Sequence, residues 1–190
     1  MALMRTIRGN EAIGPTISDS ADITMALSKI RVRFENRPVL DDISDGVDDQ
    51  LFPIDDQRFS HVAPSGTGWG AVLTVVATDE SSAPEIAQRE AARIRFLGEH
   101  FHEDDEVWFF LHGHATFVLC GNTDENIYAL LCGPGDFICL PAGIRHRFDM
   151  GKLPNFRALR FYRTEPGFVG EFTDTEVPSF LQVLDCLRVQ

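Results

Sequence analysis

Gly98-Glu99-His100-Phe101-His102-Glu103-Asp104-Asp105-Glu106 sets two imidazoles and a carboxylate in one short run, and a third imidazole, His146, follows in Pro141-Ala142-Gly143-Ile144-Arg145-His146. Three imidazoles and one carboxylate make a donor set of intermediate softness. Such a set suits Fe(II), Ni(II), Co(II), Mn(II) or Zn(II), and leaves two positions over if the ion is octahedral. Open positions on a redox metal point to oxygen chemistry rather than to a structural clip.

If this run is extended, His100 and His102 share a face and Glu106 keeps the same parity. His146 comes after Pro-x-Gly, where a turn would return it to the mouth of the same sheet. The bland alternative is a set of surface histidines in an acidic loop. It weakens because these two segments hold three of the chain's 6 histidines and carry Gly113, Gly135, Pro141 and Gly143 at turn spacing.

Outward from the two segments the pattern is mostly strand. Val107–Leu111 and Ala115–Leu119 flank His112-Gly113-His114, and Ile127–Leu131, Phe137–Leu140 and Phe156–Tyr162 follow between Gly, Pro, Asn and Asp. Upstream, Asp19 to Ile30 has an N-cap and apolar residues at helical spacing, Val32 and Phe34 alternate with charges, and Trp69 to Thr78 reads as a buried strand. Ser82, Pro84 and Glu85 open a helix expected to run through Arg93. Residues 1–18 read as a flexible tail, residues 39–62 give no clear element, and Val177 to Leu187 suggests a short C-terminal helix. Many short strands with few helices predict an all-β-dominated antiparallel barrel or sandwich with a helical flank.

The 190 residues suit one domain after the tail, and 44% hydrophobic content with 15 Phe against 2 Trp and 2 Tyr predicts an apolar, aromatic core. A formal net charge of -12 argues against nucleic acid and anionic membranes as partners. No signal-peptide pattern or membrane-length apolar run is evident, so a cytoplasmic protein is expected. Cys120, Cys132, Cys139 and Cys186 form no CxxC pair and read as reduced thiols.

The two ligand segments resemble the two cupin motifs: His-x-His, three residues, Glu, six residues, Gly; then Gly, five residues, Pro-x-Gly, two residues, His. More closely, the chain resembles the acireductone dioxygenase family. The resemblance is carried by Phe96 through Val107, by Gly135-Asp136 and Leu140-Pro141-Ala142-Gly143, and by His146 and Phe148-Asp149-Met150-Gly151. Pro154-Asn155-Phe156, Arg160-Phe161, Pro166-Gly167-Phe168 and Phe172-Thr173 continue it. It is strong over residues 94–173 and loose before them. It implies a single cupin-type antiparallel β-barrel over residues 19–190, with a few flanking N-terminal helices and a metal-binding core at about 94–173.

It further implies a dioxygenase of methionine salvage, in amino-acid biosynthesis, that cleaves carbon–carbon bonds of an acireductone or a related enediol. The metal is Fe(II), with Ni(II) as the alternative, held by His100, His102, Glu106 and His146. Phe96, Phe148 and Arg160 carry over as pocket residues, Arg160 as the cation for an anionic substrate oxygen. The partners implied are the small-molecule substrate and O2, in a monomer or small homo-oligomer. A cupin isomerase or lyase and a non-catalytic small-molecule binder are the rival readings.

The chain departs from that family in its substrate pocket. The family's Arg two residues after the ligand Glu is Trp108 here, and Phe168 stands where members tend to carry Trp. Gly98 lies too close to His100 for the general cupin form, and Met150 replaces the final Asn of the second motif. Trp108 shares parity with Glu106, so its ring should line the pocket, where bulk in place of a cation favours a more apolar substrate. Arg145, Arg157 and Arg160 are the cations that could substitute. His112 and His114 are expected on a solvated strand end. Glu99, Asp104 and Asp105 are candidate acceptors for the free N–H of a ligating imidazole.

Overall fold

Alternation along Glu106–Gly113 (β7) explains the architecture. Glu106, Trp108 and Phe110 point to one face, and Val107 and Phe109 to the other; all five are buried. A strand covered on both faces belongs at the centre of a layered structure. The computed structural model describes residues 1–39, 51–52, 62–65, 69–76, 83–121, 125–152, 154–164 and 169–175. In chain order these hold strands Leu3–Arg8 (β1) and Glu11–Ile17 (β2), helix Ser20–Ser28 (α1), and strands Arg33–Asn36 (β3), Leu51–Phe52 (β4) and Gly70–Val76 (β5). Helix Ala83–Leu97 (α2) leads to strand His100–Phe101 (β6) and then to β7. Ala115–Cys120 (β8), Asn126–Cys132 (β9), Asp136–Leu140 (β10), Arg145–Asp149 (β11), Phe156–Tyr162 (β12) and Glu171–Phe172 (β13) complete the set.

The strands form two antiparallel sheets. One runs β13-β6-β11-β8-β9-β1-β2, the other β3-β10-β7-β12-β5-β4. Trp108, Phe110 and Phe156 from the second sheet meet Phe117, Leu130 and Phe148 from the first in one core. Val107, Phe109, Phe137, Leu159 and Phe161 form a separate cluster on the outer face of the second sheet. The expected antiparallel barrel with a few flanking helices is the observed fold, and two helices lie among the described residues.

The flexible tail expected over residues 1–18 is instead a β1–β2 hairpin, and β1 pairs with β9 along its length. Met4 and Ile7 are buried and anchor it, while β2, at the sheet edge, keeps mostly exposed side chains. An edge strand with no apolar face gives no alternation to read, and it also tolerates Pro15.

Helix α1 starts where Asp19 accepts hydrogen bonds from Ala21 N and Asp22 N at 2.9 and 3.1 Å, as its sequence predicts. It buries Ile23 and Leu27. Helix α2 runs one turn beyond the expected Arg93, to Leu97, so Phe96 is helical. Arg93 pairs with buried Asp149 of β11 at 2.8 Å, and Arg147 of β11 donates to the Leu97 carbonyl at 2.8 Å. These bonds pin α2 onto the strand that carries His146. Cys120, Cys132 and Cys139 are free thiols. Most of residues 39–62 and the whole of 177–187 lie outside the described residues.

Candidate metal centre

His100, His102 and His146 bring one ring nitrogen each to within 4.8 Å of one another. All three are buried. His100 and His146 are direct register partners across β6 and β11, with ring centroids 4.3 Å apart. Glu106 arrives from the opposite sheet: its Oε2 lies 3.1 Å from His146 Nε2 and 3.5 Å from His102 Nε2.

Shared parity on one strand is not what brings the ligands together. β6 ends at Phe101, the chain crosses between the sheets over residues 102–105, and β7 begins at Glu106 in the other sheet. The crossing is tied to the Pro141–Gly143 turn, where Gly143 N donates to His102 O at 2.9 Å and Ala142 N donates to Asp105 Oδ1 at 3.0 Å. Both ligand segments are thus fastened to each other just before His146.

His100 and His146 are oriented by backbone rather than by carboxylates. His100 Nδ1 lies 2.9 Å from the Gly98 carbonyl and His146 Nδ1 lies 3.1 Å from the Ile144 carbonyl. An Nδ1–H given to a carbonyl leaves Nε2 with its lone pair aimed inward. Asp105 instead caps the turn and Asp104 accepts from Thr164 Oγ1. Glu99, also buried, accepts from Thr173 and Thr175 hydroxyls. The three carboxylates considered for orienting the imidazoles therefore bond to other groups.

Burial, with His146 next to it, lowers the His100 pKa from 6.5 to about 4. Burial also lowers that of His102. Both are neutral near pH 7, the form that binds metals. Burial alone would raise the Glu106 pKa, but the Arg160 guanidinium beside it holds it well below the usual carboxylate range. Its Oε2 is buried and has no hydrogen-bond partner. Where His146 gives its Nδ1–H to the Ile144 carbonyl, its Nε2 and Glu106 Oε2 turn lone pairs toward each other across 3.1 Å. That contact is repulsive unless a cation lies between them, so the donor set fits a metal ion.

Beside the cluster is a cavity of about 200 Å³ lined by Phe96, Trp108, Phe117, Phe148, Met150, Phe156 and Arg160 as well as ligand side chains. The Trp108 ring stacks on Phe148, 5.1 Å between centroids. Among the described residues, Arg160 is the one arginine in the cavity wall. Arg145 faces outward toward Glu99, and Arg157 lies at the opposite parity on β12. Phe168 lies outside the described residues. His112 and His114 are exposed at the β7–β8 turn, away from the cavity.

Phe117, Met150 and Phe156 line the cavity as well, a role that only their place in the two sheets reveals. Val169–Gly170 passes over the ligands: a Cβ on Gly170 would lie 3.1 Å from His100 Cδ2 and 3.4 Å from His102 Cε1. Phe172 then packs its ring 5.0 Å from His100.

A two-sheet antiparallel barrel holding three imidazoles and a carboxylate between its layers defines a cupin of the metal-binding kind. The profile of the ARD/ARD' family matches residues 70–170. Acireductone dioxygenase of Frankia alni is 38% identical over 90% of this chain and 82% of its own length. The Synechococcus sp. acireductone dioxygenase is 36% identical over 87% of each chain. The chain belongs to the ARD/ARD' family and is by that membership a dioxygenase-class enzyme. The fold agrees with that of the acireductone dioxygenase from Bacillus anthracis, described with a cadmium ion in its active center, at a TM-score of 0.64 and 20% identity over 90% of this chain and 98% of that one. Among the described residues no helix is long and apolar enough to cross a membrane.

Proposed function

We propose that the protein cleaves carbon–carbon bonds of an acireductone or a related enediol with O2, using Fe(II), or alternatively Ni(II), held by His100, His102, Glu106 and His146. The observation that carries this reading is the unpartnered Glu106 Oε2 facing His146 Nε2 across 3.1 Å beside an apolar cavity. When bound, the ion supplies a Lewis-acidic template with positions left for a two-oxygen ligand.

The chain's own residues have distinct tasks. His100 and His102 are neutral before metal arrives, so neither has a proton to shed near pH 7. Arg160 offers a fixed cation to the enediolate. Phe96, Trp108 and Phe148 form the apolar wall that receives the tail and keeps water from the reacting carbons. By family resemblance the iron form releases formate and the 2-keto acid precursor of methionine, and the nickel form releases formate, carbon monoxide and a carboxylic acid. The role would be methionine salvage, in the cytoplasm.

The test is oxygen uptake by the iron-loaded protein with the methylthio acireductone, followed by product analysis. The expected result is O2 consumption matched by formate, with no product under nitrogen. Substrate consumption under nitrogen would favour a cupin isomerase or lyase. No turnover and no spectral change with an enolic ligand would favour a non-catalytic binder.

Trp108 supports a second reading, in which the substrate carries a more apolar or aromatic tail. Its ring occupies cavity wall where the family carries a cation, and Phe117, Phe148 and Phe156 surround it. A higher kcat/KM for a phenyl-substituted acireductone than for the methylthio compound is its expected signature. Fast turnover of the methylthio compound alone would overturn it.

A further inference from the structure

The two oxygens of the Glu106 carboxylate have different surroundings. Oε1 accepts from the Arg160 guanidinium, whose Nη2 is 2.6 Å away. Oε2 is buried, without a hydrogen-bond partner, and faces Nε2 of His146 and of His102. One oxygen is taken by a cation of the protein; the other is turned toward the imidazoles.

This division matters for coordination. A carboxylate can bind a metal through one oxygen or through both. With three imidazoles and one carboxylate oxygen, an octahedral ion keeps two positions; with a chelating carboxylate it keeps one. A ligand that binds through two oxygens needs two positions.

Arg160 is well placed to decide the mode. It sits on β12 directly across from Trp108 of β7, two residues from Glu106 on the same strand, so a sheet ladder sets its distance to the carboxylate. Its Cζ lies 5.3 Å from the centroid of the Trp108 ring, which covers the guanidinium on that side. The residue is 9% exposed. A charge-assisted bond in such a site is short and strong enough to compete with a second metal–oxygen contact.

We propose that Arg160 is a positioning residue that limits Glu106 to ligation through Oε2 alone and so keeps two coordination positions free for a ligand with two oxygen donors. The proposal rests on the metal-centre reading above. It predicts that loss of Arg160 harms chelating ligands selectively, because Glu106 then takes the position they need.

The test uses the 190-residue chain loaded with Co(II) and read by visible absorption, with tropolone as a two-oxygen probe and azide as a single-atom probe. Both probes bind as anions, so a simple loss of positive charge affects both. In R160M, one equivalent of cobalt is retained, tropolone affinity falls roughly tenfold or more, and azide affinity stays within about threefold. R160K keeps a cation beside Oε1 and holds tropolone affinity within about threefold of wild type. Unchanged tropolone binding in R160M, or an equal loss for both probes, would overturn the proposal. X-ray absorption of the wild-type cobalt protein gives a reading that needs no variant to fold: a carboxylate bound through one oxygen is expected, and a two-oxygen carboxylate would overturn the proposal. A wild type that takes up no cobalt would overturn the metal-centre reading itself, before any probe is added.

Discussion

His100 and His146 stand opposite each other across β6 and β11, each with Nδ1 against the backbone carbonyl two residues earlier, just before its strand. Burial first, and His146 second, lowers the His100 pKa to about 4 and keeps the ring neutral. In the unfolded chain the same group protonates near 6.5, so the unfolded state binds more protons between these values. The metal-free protein should therefore lose stability as pH falls from about 6.5 toward about 4, by on the order of 3 kcal/mol for this group. Urea unfolding at pH 7 and pH 4.5 measures it, and H100N should flatten the slope. An equal slope in H100N would contradict the assignment.

Glu106 and Arg160 form a buried ion pair, with side chains 6% and 10% exposed. Truncating one partner leaves the other charge buried without it. E106A should cost about 3–5 kcal/mol in the metal-free protein. E106Q should be milder, because the amide oxygen still accepts from Arg160. Denaturant midpoints of the three proteins test this, and an E106A as stable as wild type would show the pair to be solvated.

Trp108 packs against Phe110, Phe117 and Phe148 and is 6% exposed. W108A should enlarge the cavity and destabilise the fold by about 3–5 kcal/mol. W108F should cost much less while removing the indole from Arg160. A W108A penalty under about 1 kcal/mol would mean that the ring is loosely held.

Gly113 ends β7 with φ +65°, and a Cβ there would lie 1.9 Å from the Asn155 carbonyl oxygen. G113A combines a strained backbone with a backbone clash and should lose more than about 2 kcal/mol. Thermal unfolding at neutral pH checks it; an unchanged Tm would place the β7–β8 turn differently.

The parts legible in the sequence are those where a side-chain pattern and a backbone need coincide. Asp19 announced α1 because its carboxylate meets free amides, and β7 and β8 announced themselves by apolar runs around Gly113. The convergence of His100, His102 and His146 was legible because imidazoles are few and their spacing is unusual. What could not be read depends on the other sheet. The β1–β2 hairpin is held by its ladder to β9 rather than by an apolar face. The carbonyls of Gly98 and Ile144 orient the imidazoles, and a carbonyl has no signature in a sequence. Likewise, the convergence of Glu106 with the histidines comes from a crossing between sheets, which strand parity does not describe.

The most direct test of the account is a calorimetric titration of the metal-free protein with Ni(II), beside H146A. The account predicts one equivalent bound to the wild type and an affinity lower by more than about 100-fold in H146A. Equal binding by the two proteins, or none by the wild type, would contradict a centre built from His100, His102, Glu106 and His146.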